Sequence, residues 1–328
     1  MMIPTQWTEA AQAVGAAARI VIVTHVQPDG DAIGTTLGLA NALRAAGKHV
    51  DIAVDGGAPS YLRFMPGADT FHASLESGEW DIFISADSSD SERTGVSGAY
   101  ARAHSALEIN LDHHITNTGF GDICLVVPEA VSAAEVAYDF LNVAGIAITT
   151  DSARALLTGM VTDTIGFRTS NVVPRTLDIA RDLMQRGASL TEITALTLDT
   201  RSFNSLLVWR EALSGLMLED GVIWTTVPFN VFRQLRVDPA TELNLSGFLI
   251  KVDEARISAV FKERHDGRVE CSFRAKLGYA IGEIALSLGG GGHTLASGAT
   301  IDGPLDAAVA RVLLLLKEAV RQGHLIVR

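Results

Sequence analysis

The stretch His25-Val-Gln-Pro-Asp-Gly-Asp31 follows an apolar run, Ile20-Val-Ile-Val23, and precedes a segment with the pattern of an amphipathic helix. The apolar run predicts a buried strand, and the Pro and Gly after it predict a turn. One imidazole and two carboxylates therefore follow the end of a strand and can fold around one point. A metal site is one interpretation, and a solvated acidic turn that caps the next helix is the other.

Three later segments favour the metal site. Trp80-Asp-Ile-Phe-Ile-Ser-Ala-Asp87 is an apolar run closed by an acid, and Ala106-Leu-Glu-Ile-Asn-Leu-Asp-His-His114 closes with an acid and two histidines. Adjacent parallel strands end at the same edge of a sheet, where α/β proteins collect ligands. Asp163 ends a predicted helix in mostly uncharged surroundings, where a lone carboxylate is costly. The candidates are His25, Asp29, Asp31, Asp87, Asp112, His113, His114 and Asp163.

The order of predicted elements indicates an α/β protein with two domains. Strands at 19–24, 49–54, 80–87, 106–112 and 123–127 alternate with helices and predict a parallel sheet flanked by helices in a catalytic domain, 1–188. Helical periodicity over 190–218 predicts a helical linker, 189–219. A smaller α/β domain with a mixed sheet, 220–328, follows, with a hairpin turn at Asp266-Gly267. We expect the active site in the cleft between the domains.

Composition limits the classes of partner. Apolar residues make up 48% of the 328 residues, which excludes general disorder, and the net charge of −12 argues against long duplex nucleic acid. Cys124 and Cys271 lack metal-type spacing and fit a reducing cytoplasm. The N-terminal residues lack the order of a signal peptide, and no apolar run has membrane-spanning length. We therefore expect a soluble cytoplasmic protein.

The donor types of the candidate site predict the metal. Carboxylates with a minority of imidazoles and no thiolate favour two divalent ions, Mn²⁺ with Mg²⁺ as the alternative. Gathered carboxylates would repel each other without cations. Two ions roughly 3.5–4 Å apart can bind a phosphoryl group, acidify a bridging water and stabilise the leaving oxygen.

The candidate set resembles a known family. Asp112-His113-His114, preceded by His25-x-x-Pro-Asp-x-Asp31 and Asp87 and followed by Asp163, resembles the DHH phosphoesterase superfamily. Arg274-Ala-Lys276 and the glycine run that ends at His293 resemble its DHH-associated C-terminal domain. The resemblance covers nearly the whole chain in the family's order. Within the superfamily, the size and layout are most similar to the branch of bacterial bifunctional oligoribonucleases (nanoRNases) and pAp (3′-phosphoadenosine-5′-phosphate) phosphatases.

The resemblance implies a role for each residue of the catalytic domain. His25 and Asp29 would hold one ion, Asp31, His113 and Asp163 the other, and Asp87 would bridge the two. Asp112 would orient His113 from outside the ligand set. His114 would face the substrate phosphate. Arg168 is left open between a substrate contact and an ion pair.

The resemblance also implies a phosphate grip in the C-terminal domain. Arg274 and His293 would bind a non-scissile phosphate, because a guanidinium matches phosphate oxygens and a glycine-rich loop exposes backbone N–H donors. Those donors would come from Gly290, Gly291 and Gly292. The chain has Ala275 and Thr294 where the family often has Ser and Lys. Each departure changes a position that would contact a phosphate or a base.

The implied activity is hydrolysis of short single-stranded RNA or DNA oligonucleotides, linear dinucleotides such as pApA, or pAp to mononucleotides. A manganese-dependent inorganic pyrophosphatase is one alternative, and a non-catalytic nucleotide-binding sensor is another. The glycine run favours a nucleotide over pyrophosphate, and a sensor would lack a metal ligand, whereas none is missing. Monomer and homodimer both stay open.

Overall fold

The computed structural model describes residues 5–239, 241 and 243–323. The chain divides into two compact units, with the division after Thr200. The first contains a parallel sheet and the second a mixed sheet, each with six strands, which confirms the predicted fold class. No helix within the described ranges is long and apolar enough to cross a membrane.

The first unit is a parallel sheet with helices. Its strands are β1 (Arg19–Thr24), β2 (His49–Ala53), β3 (Phe71–His72), β4 (Trp80–Ala86), β5 (Ser105–Asp112) and β6 (Ile123–Val126). Its helices are α1 (Thr5–Ala16), α2 (Gly30–Ala45), α3 (Gly95–Ala103), α4 (Ala133–Val143), α5 (Thr150–Asp163), α6 (Pro174–Gln185) and α7 (Leu190–Thr194). Short 3₁₀ turns cover Ser60–Leu62, Ala68–Thr70 and Glu92–Thr94.

The strand order β3-β2-β1-β4-β5-β6 reverses its direction of growth between β1 and β4. Such a reversal opens a crevice beyond the carboxyl ends of the two strands, where α/β proteins bind ligands. The strands pair in parallel, with Thr24 opposite Ala86. His25 and Asp87 follow these two residues directly, so the topology places both side chains at the crevice.

Close packing of α2 against α5 brings their ends together. A Cβ on Gly34 would lie 2.6 Å from the carbonyl oxygen of Ala155, and a Cβ on Gly159 would lie 2.7 Å from Oδ1 of Asp31. Glycine at both positions therefore lets the helix backbones approach and leaves room for a carboxylate. As a result Asp31, in the first turn of α2, comes close to Asp163, the last residue of α5.

The second unit is built on a mixed sheet. Its strands are β7 (Met217–Glu219), β8 (Val222–Val227), β9 (Ile257–Glu263), β10 (Val269–Ala275), β11 (Gly291–His293) and β12 (Ala296–Ile301), in the order β11-β12-β10-β9-β8-β7. Its helices are α8 (Phe203–Ser214), α9 (Phe229–Leu235), α10 (Leu245–Leu249), α11 (Gly282–Ser287) and α12 (Leu305–Gln322). Among the described residues of this second sheet, only β8 and β9 pair in parallel, and the predicted hairpin joins β9 to β10.

The segment 190–218, for which helical periodicity was predicted, is interrupted at two places. The helix α7 passes into a π-helical turn, Ala195–Asp199, and a break separates this turn from α8. Met217–Glu219 then forms an edge strand instead of helix. The reason is Asp220-Gly221: both residues have positive φ, 51° and 77°, as a two-residue hairpin turn between β7 and β8 requires.

Candidate metal centre

The ends of three neighbouring strands bring imidazoles and a carboxylate together. Nε2 of His25, after β1, lies 3.6 Å from Oδ2 of Asp87, after β4. Nε2 of His113 and Nδ1 of His114, after β5, lie 3.8 and 3.6 Å from Oδ1 of Asp87. Because β1, β4 and β5 are adjacent and parallel, their carboxyl ends share one edge of the sheet.

The helices α2 and α5 supply the remaining acids. Nε2 of His113 lies 3.8 Å from Oδ2 of Asp31 and 3.6 Å from Oδ2 of Asp163. Among the described residues, three groups have ligand atoms within 4.8 Å of one another and could hold a metal ion. These groups are His25–Asp29–Asp87, Asp31–His113–Asp163 and Asp87–His113–His114.

Asp87 has the features of a metal ligand. Its side chain is buried, and within the described ranges its Oδ1 has no hydrogen-bond partner. The separations of 3.6 and 3.8 Å to the imidazoles of His114 and His113 exceed those of hydrogen bonds. Burial raises the pKa of Asp87, but the nearby imidazole of His25, with the charges of His114 and His113, lowers it overall. A buried anionic oxygen without a donor fits a divalent cation.

The pKa values of Asp31 and Asp163 are shifted upward, in the direction opposite to that of Asp87. Burial raises the pKa of Asp31 well above its usual range, and the charges of Asp87 and Asp163 add to the rise. Burial, followed by the charges of Asp29 and Asp87, raises that of Asp163 in the same way. The surroundings of Asp163 are therefore charged, not the mostly uncharged ones that the sequence suggested. Divalent ions between these groups would relieve the repulsion.

The carboxylate of Asp31 is also held by the start of α4. Its Oδ2 accepts a hydrogen bond from the Ala133 amide at 2.6 Å, and its Oδ1 accepts one from the Ala134 amide at 3.0 Å. The first amides of a helix lack partners within the helix and favour an anion. This contact fixes the orientation of Asp31, and local sequence patterns do not predict it because α4 begins about a hundred residues downstream.

The structure corrects the predicted role of Asp112. Its Oδ1 accepts a hydrogen bond from Nδ1 of His114 at 2.8 Å, and Nδ2 of Asn117 donates to its Oδ2 at 2.6 Å. The Nδ1 atom of His113 instead lies 3.3 Å from the carbonyl oxygen of Ala130. Asp112 therefore orients His114, because β5 ends at Asp112 and the chain turns so that the second histidine folds back onto the acid. Burial lowers the pKa of His114, but the Asp112 hydrogen bond and the charges of Asp87 and Asp112 raise it to about 9.

Two arginines near the centre differ from expectation. Nε of Arg168 donates to the carbonyl oxygen of Ile165 at 2.5 Å, and no carboxylate within the described ranges forms an ion pair with it. The described residues thus show no ion pair for Arg168, and the substrate contact stays a prediction. Arg93, which the sequence analysis missed, lies on the loop after β4 and its carbonyl accepts from the Val26 amide at 2.7 Å. Its charge opposes the rise in the pKa of His25 and of His114. The sequence contained one signal for Arg93, namely a basic residue on the loop that follows Asp87, the acid at the end of β4.

Backbone strain is concentrated around the ligands. Asp87 itself has φ 55°, and Gln27, Ile165 and Phe167, on the loops beside His25 and Asp163, have φ values of 58°, 51° and 61°. Left-handed backbone is rare for non-glycine residues, and most so for a β-branched residue such as isoleucine. Such strain persists where the surrounding structure fixes it, which is typical of functional sites.

Comparison with protein families agrees with this geometry. The model of the DHH family N-terminal domain matches residues 19–160, and the model of the DHHA1 domain matches residues 229–322. The chain also aligns at 35% identity over 311 residues with a protein of Thermus thermophilus, covering 93% of this chain and 92% of that protein. The chain belongs to the DHH family. The Thermus relative is called bifunctional oligoribonuclease and PAP phosphatase NrnA.

Three other proteins are similar to the chain at lower sequence identity. The protein of the same name from Bacillus subtilis is 27% identical over 301 residues, with 90% of this chain and 93% of that protein covered. Among solved structures, an exopolyphosphatase-related protein from Bacteroides fragilis superposes with a TM-score of 0.87 at 24% identity, covering 96% of this chain and 97% of its own. RecJ from Thermus thermophilus, solved with Mn²⁺, gives 0.54 at 14% identity, covering 98% of this chain and 56% of RecJ. Both solved structures have the same fold as this chain.

The DHHA1 domain contains the predicted phosphate-binding residues. Arg274 on β10 lies opposite Ala296 of β12, and His293 on β11 lies opposite Ala296 on its other side, so the three residues form one row across the sheet. The side chain of His293 lies outside the described part. A Cβ on Gly290 would lie 2.1 Å from the carbonyl oxygen of Gly298, and one on Gly292 would lie 2.6 Å from that of Ala296. Close approach of the backbone to β12 therefore requires glycine at positions 290 and 292 whether or not a phosphate binds. The contact of the glycine amides with a phosphate stays a prediction.

Proposed function

We propose that this chain is a metal-dependent phosphoesterase that hydrolyses short oligonucleotides and 3′-phosphoadenosine-5′-phosphate to mononucleotides. The observation that carries the proposal is the pair of ligand groups His25–Asp29–Asp87 and Asp31–His113–Asp163, in which Asp87 of the first group lies 3.8 Å from His113 of the second. Membership of the DHH family and the names of its relatives support the substrate class. The net charge of −12 favours short substrates over long duplexes.

We assign each residue of the centre a separate role. His25 and Asp29 would hold one divalent ion, Asp31, His113 and Asp163 would hold the other, and Asp87 would contact both. Oxygen-rich donors with a minority of imidazoles favour Mn²⁺, with Mg²⁺ as the alternative. When bound, such ions polarise a phosphoryl oxygen and lower the pKa of water. Asp112 would hold the imidazole of His114 toward the substrate phosphate, and the amides of Ala133 and Ala134 would keep Asp31 in position.

A turnover panel with Mn²⁺ tests the proposal. It compares pAp, pApA, a five-nucleotide RNA, a cyclic dinucleotide and inorganic pyrophosphate, with products separated by chromatography and phosphate release measured in parallel. We expect mononucleotide products from pApA, or from pAp, at rates well above that on pyrophosphate. Turnover of pyrophosphate alone would replace the proposal by a pyrophosphatase, and binding of nucleotides without turnover would replace it by a sensor.

The substitution Asp112→Asn tests whether Asp112 orients His114 or supports His113. Asparagine keeps an acceptor for Nδ1 of His114 but removes the charge, so we expect kcat on pApA to fall about 10- to 100-fold, as for other residues that orient a site from outside it. Metal content, measured by mass spectrometry after Mn²⁺ loading and desalting, should remain that of the wild type. Loss of one ion per chain would instead show that Asp112 supports the ligand His113.

Arg274→Ala tests the predicted phosphate grip. Losing one charge-assisted contact to a non-scissile phosphate should raise KM for pAp or pApA roughly ten- to a hundredfold, as expected for about 1.5–3 kcal/mol. Hydrolysis of bis-p-nitrophenyl phosphate, which has no second phosphate, should change far less. Arg268→Ala is the matched control, because Arg268 is half-exposed and pairs with Asp266 in the β9–β10 turn. An equal loss on both substrates would assign Arg274 to the chemical step or to the fold.

A further inference from the structure

A second group of metal-binding side chain types lies outside the candidate metal centre, on β2 and β3. His49 and Asp51 are two residues apart on β2, so both side chains lie on one face of the sheet. The register of β3 places His72 opposite Ala53, which shares that face with Asp51. The two imidazoles are 63% and 54% exposed and the Asp51 side chain is 23% exposed, so the group is open to solvent.

The carboxylate of this group has a fixed orientation. Nε1 of Trp80 donates to Oδ2 of Asp51 at 2.7 Å. The indole of Trp80 is buried and packs edge-on against Tyr100, with ring centroids 6.4 Å apart. Asp51 therefore presents its oxygens in one direction, as a carboxylate held by a hydrogen bond from outside a metal site would.

Each imidazole of this group lies about as far from the carboxylate as the imidazoles of the candidate metal centre do, although the ligand atoms of His49, Asp51 and His72 do not all lie within 4.8 Å of one another. Nε2 of His49 lies 3.5 Å from Oδ2 of Asp51, and Nε2 of His72 lies 3.9 Å from Oδ1. The imidazole–carboxylate separations around Asp87 are 3.6 to 3.8 Å. Hydrogen bonds between charged groups are shorter, about 2.7–2.9 Å. Two ligands of a tetrahedral ion with bonds near 2.1 Å are separated by about 3.4 Å.

We propose that His49, Asp51 and His72 form a separate site for a divalent transition-metal ion, with Zn²⁺ as the best match. Two imidazoles and one carboxylate, with solvent as the fourth ligand, are a known ligand set for zinc, whereas the carboxylate-rich centre around Asp87 suits Mn²⁺. The imidazoles face different oxygens of Asp51, and their exposure lets both turn toward one ion. The ion would tie β3, a two-residue strand at the edge of the sheet, to β2. The site does not depend on the proposed function.

The test compares zinc stoichiometry in two full-length chains, the wild type and the double variant His49→Ala/His72→Ala. Any Zn²⁺ held by the candidate metal centre contributes equally to both chains and cancels in the difference. We expect the double variant to bind one Zn²⁺ fewer per chain in equilibrium dialysis. His265→Ala, at an exposed position in the β9–β10 turn, is the matched control and should bind as the wild type does. Equal zinc stoichiometry and affinity in the double variant and the wild type would overturn the proposal.

Two further measurements distinguish a preorganised metal site from surface histidines that bind zinc independently. Trp80→Phe removes the hydrogen bond to Asp51 but no ligand, and should weaken the same zinc site about 10- to 100-fold. Zn²⁺ should also slow amide exchange at Val54 and Gly56 in the wild type, because these amides donate to the carbonyls of His72 and Ala73. The double variant should show no zinc-dependent slowing and should keep its Mn²⁺-dependent hydrolysis. Equal slowing in both chains would contradict a site at β2 and β3.

Discussion

Replacing Asp87 by asparagine is expected to lower kcat for pApA or pAp by about a thousandfold or more, with the fold retained. Asp87 is the carboxylate that lies beside both ligand groups, so its loss would disturb both ions at once. A metal centre contributes several kcal/mol of transition-state stabilisation, and each 1.36 kcal/mol corresponds to about a factor of ten in rate. The measurement is steady-state turnover with saturating Mn²⁺, together with metal content per chain.

Asparagine is the right replacement because of the backbone. Asp87 is buried and has φ 55°, a conformation that asparagine tolerates far better than alanine. Alanine would combine the loss of a ligand with backbone strain, so its effect on activity could not be separated from unfolding. Asp69→Ala, at an exposed position of the same unit, is the matched control and should retain full activity. Near-normal turnover of Asp87→Asn would show that the ions do not share this carboxylate.

Removing divalent metal is expected to abolish hydrolysis and to lower thermal stability. Without cations, the buried carboxylates repel one another, and this repulsion adds to the effect of burial in raising the pKa values of Asp31 and Asp163. An ion at a hundredfold excess over its Kd adds about 2.7 kcal/mol to the folded state. For a unit of this size we expect Tm to rise roughly 5–10 °C when Mn²⁺ is restored to the stripped protein.

Mn²⁺ should restore more activity than Mg²⁺, because imidazole nitrogen is a poorer ligand for Mg²⁺. The control is Asp87→Asn, in which Mn²⁺ should shift Tm much less than in the wild type. Thermal scans of both proteins, with and without chelator, provide the comparison. Full turnover in excess chelator would contradict the metal-dependent proposal, whatever the effect on Tm.

The sequence alone determined the architecture of the first unit and the edge of the sheet that carries the site. The apolar runs predicted β1, β4 and β5, because a strand that is buried on both faces of a parallel sheet is apolar along its length. The polar residues that follow each run mark the carboxyl end of the strand. The order of elements then placed His25, Asp87 and His113 at one edge. The local sequence also accounts for Ser132, because serine commonly caps a helix start and its hydroxyl here accepts a hydrogen bond from the Glu135 amide in the first turn of α4.

Only the tertiary structure decided the contacts that cross between distant segments. The amides of Ala133 and Ala134 that hold Asp31, and the choice of Asp112 between His113 and His114, depend on where α4 and the loop after β5 come to lie. His49, Asp51 and His72 likewise meet only through the pairing of β2 with β3. Periodicity reports which face of an element is buried, but a hydrogen bond depends on distance and angle between side chains. Those are set by packing between elements far apart in the chain, which local sequence patterns do not encode.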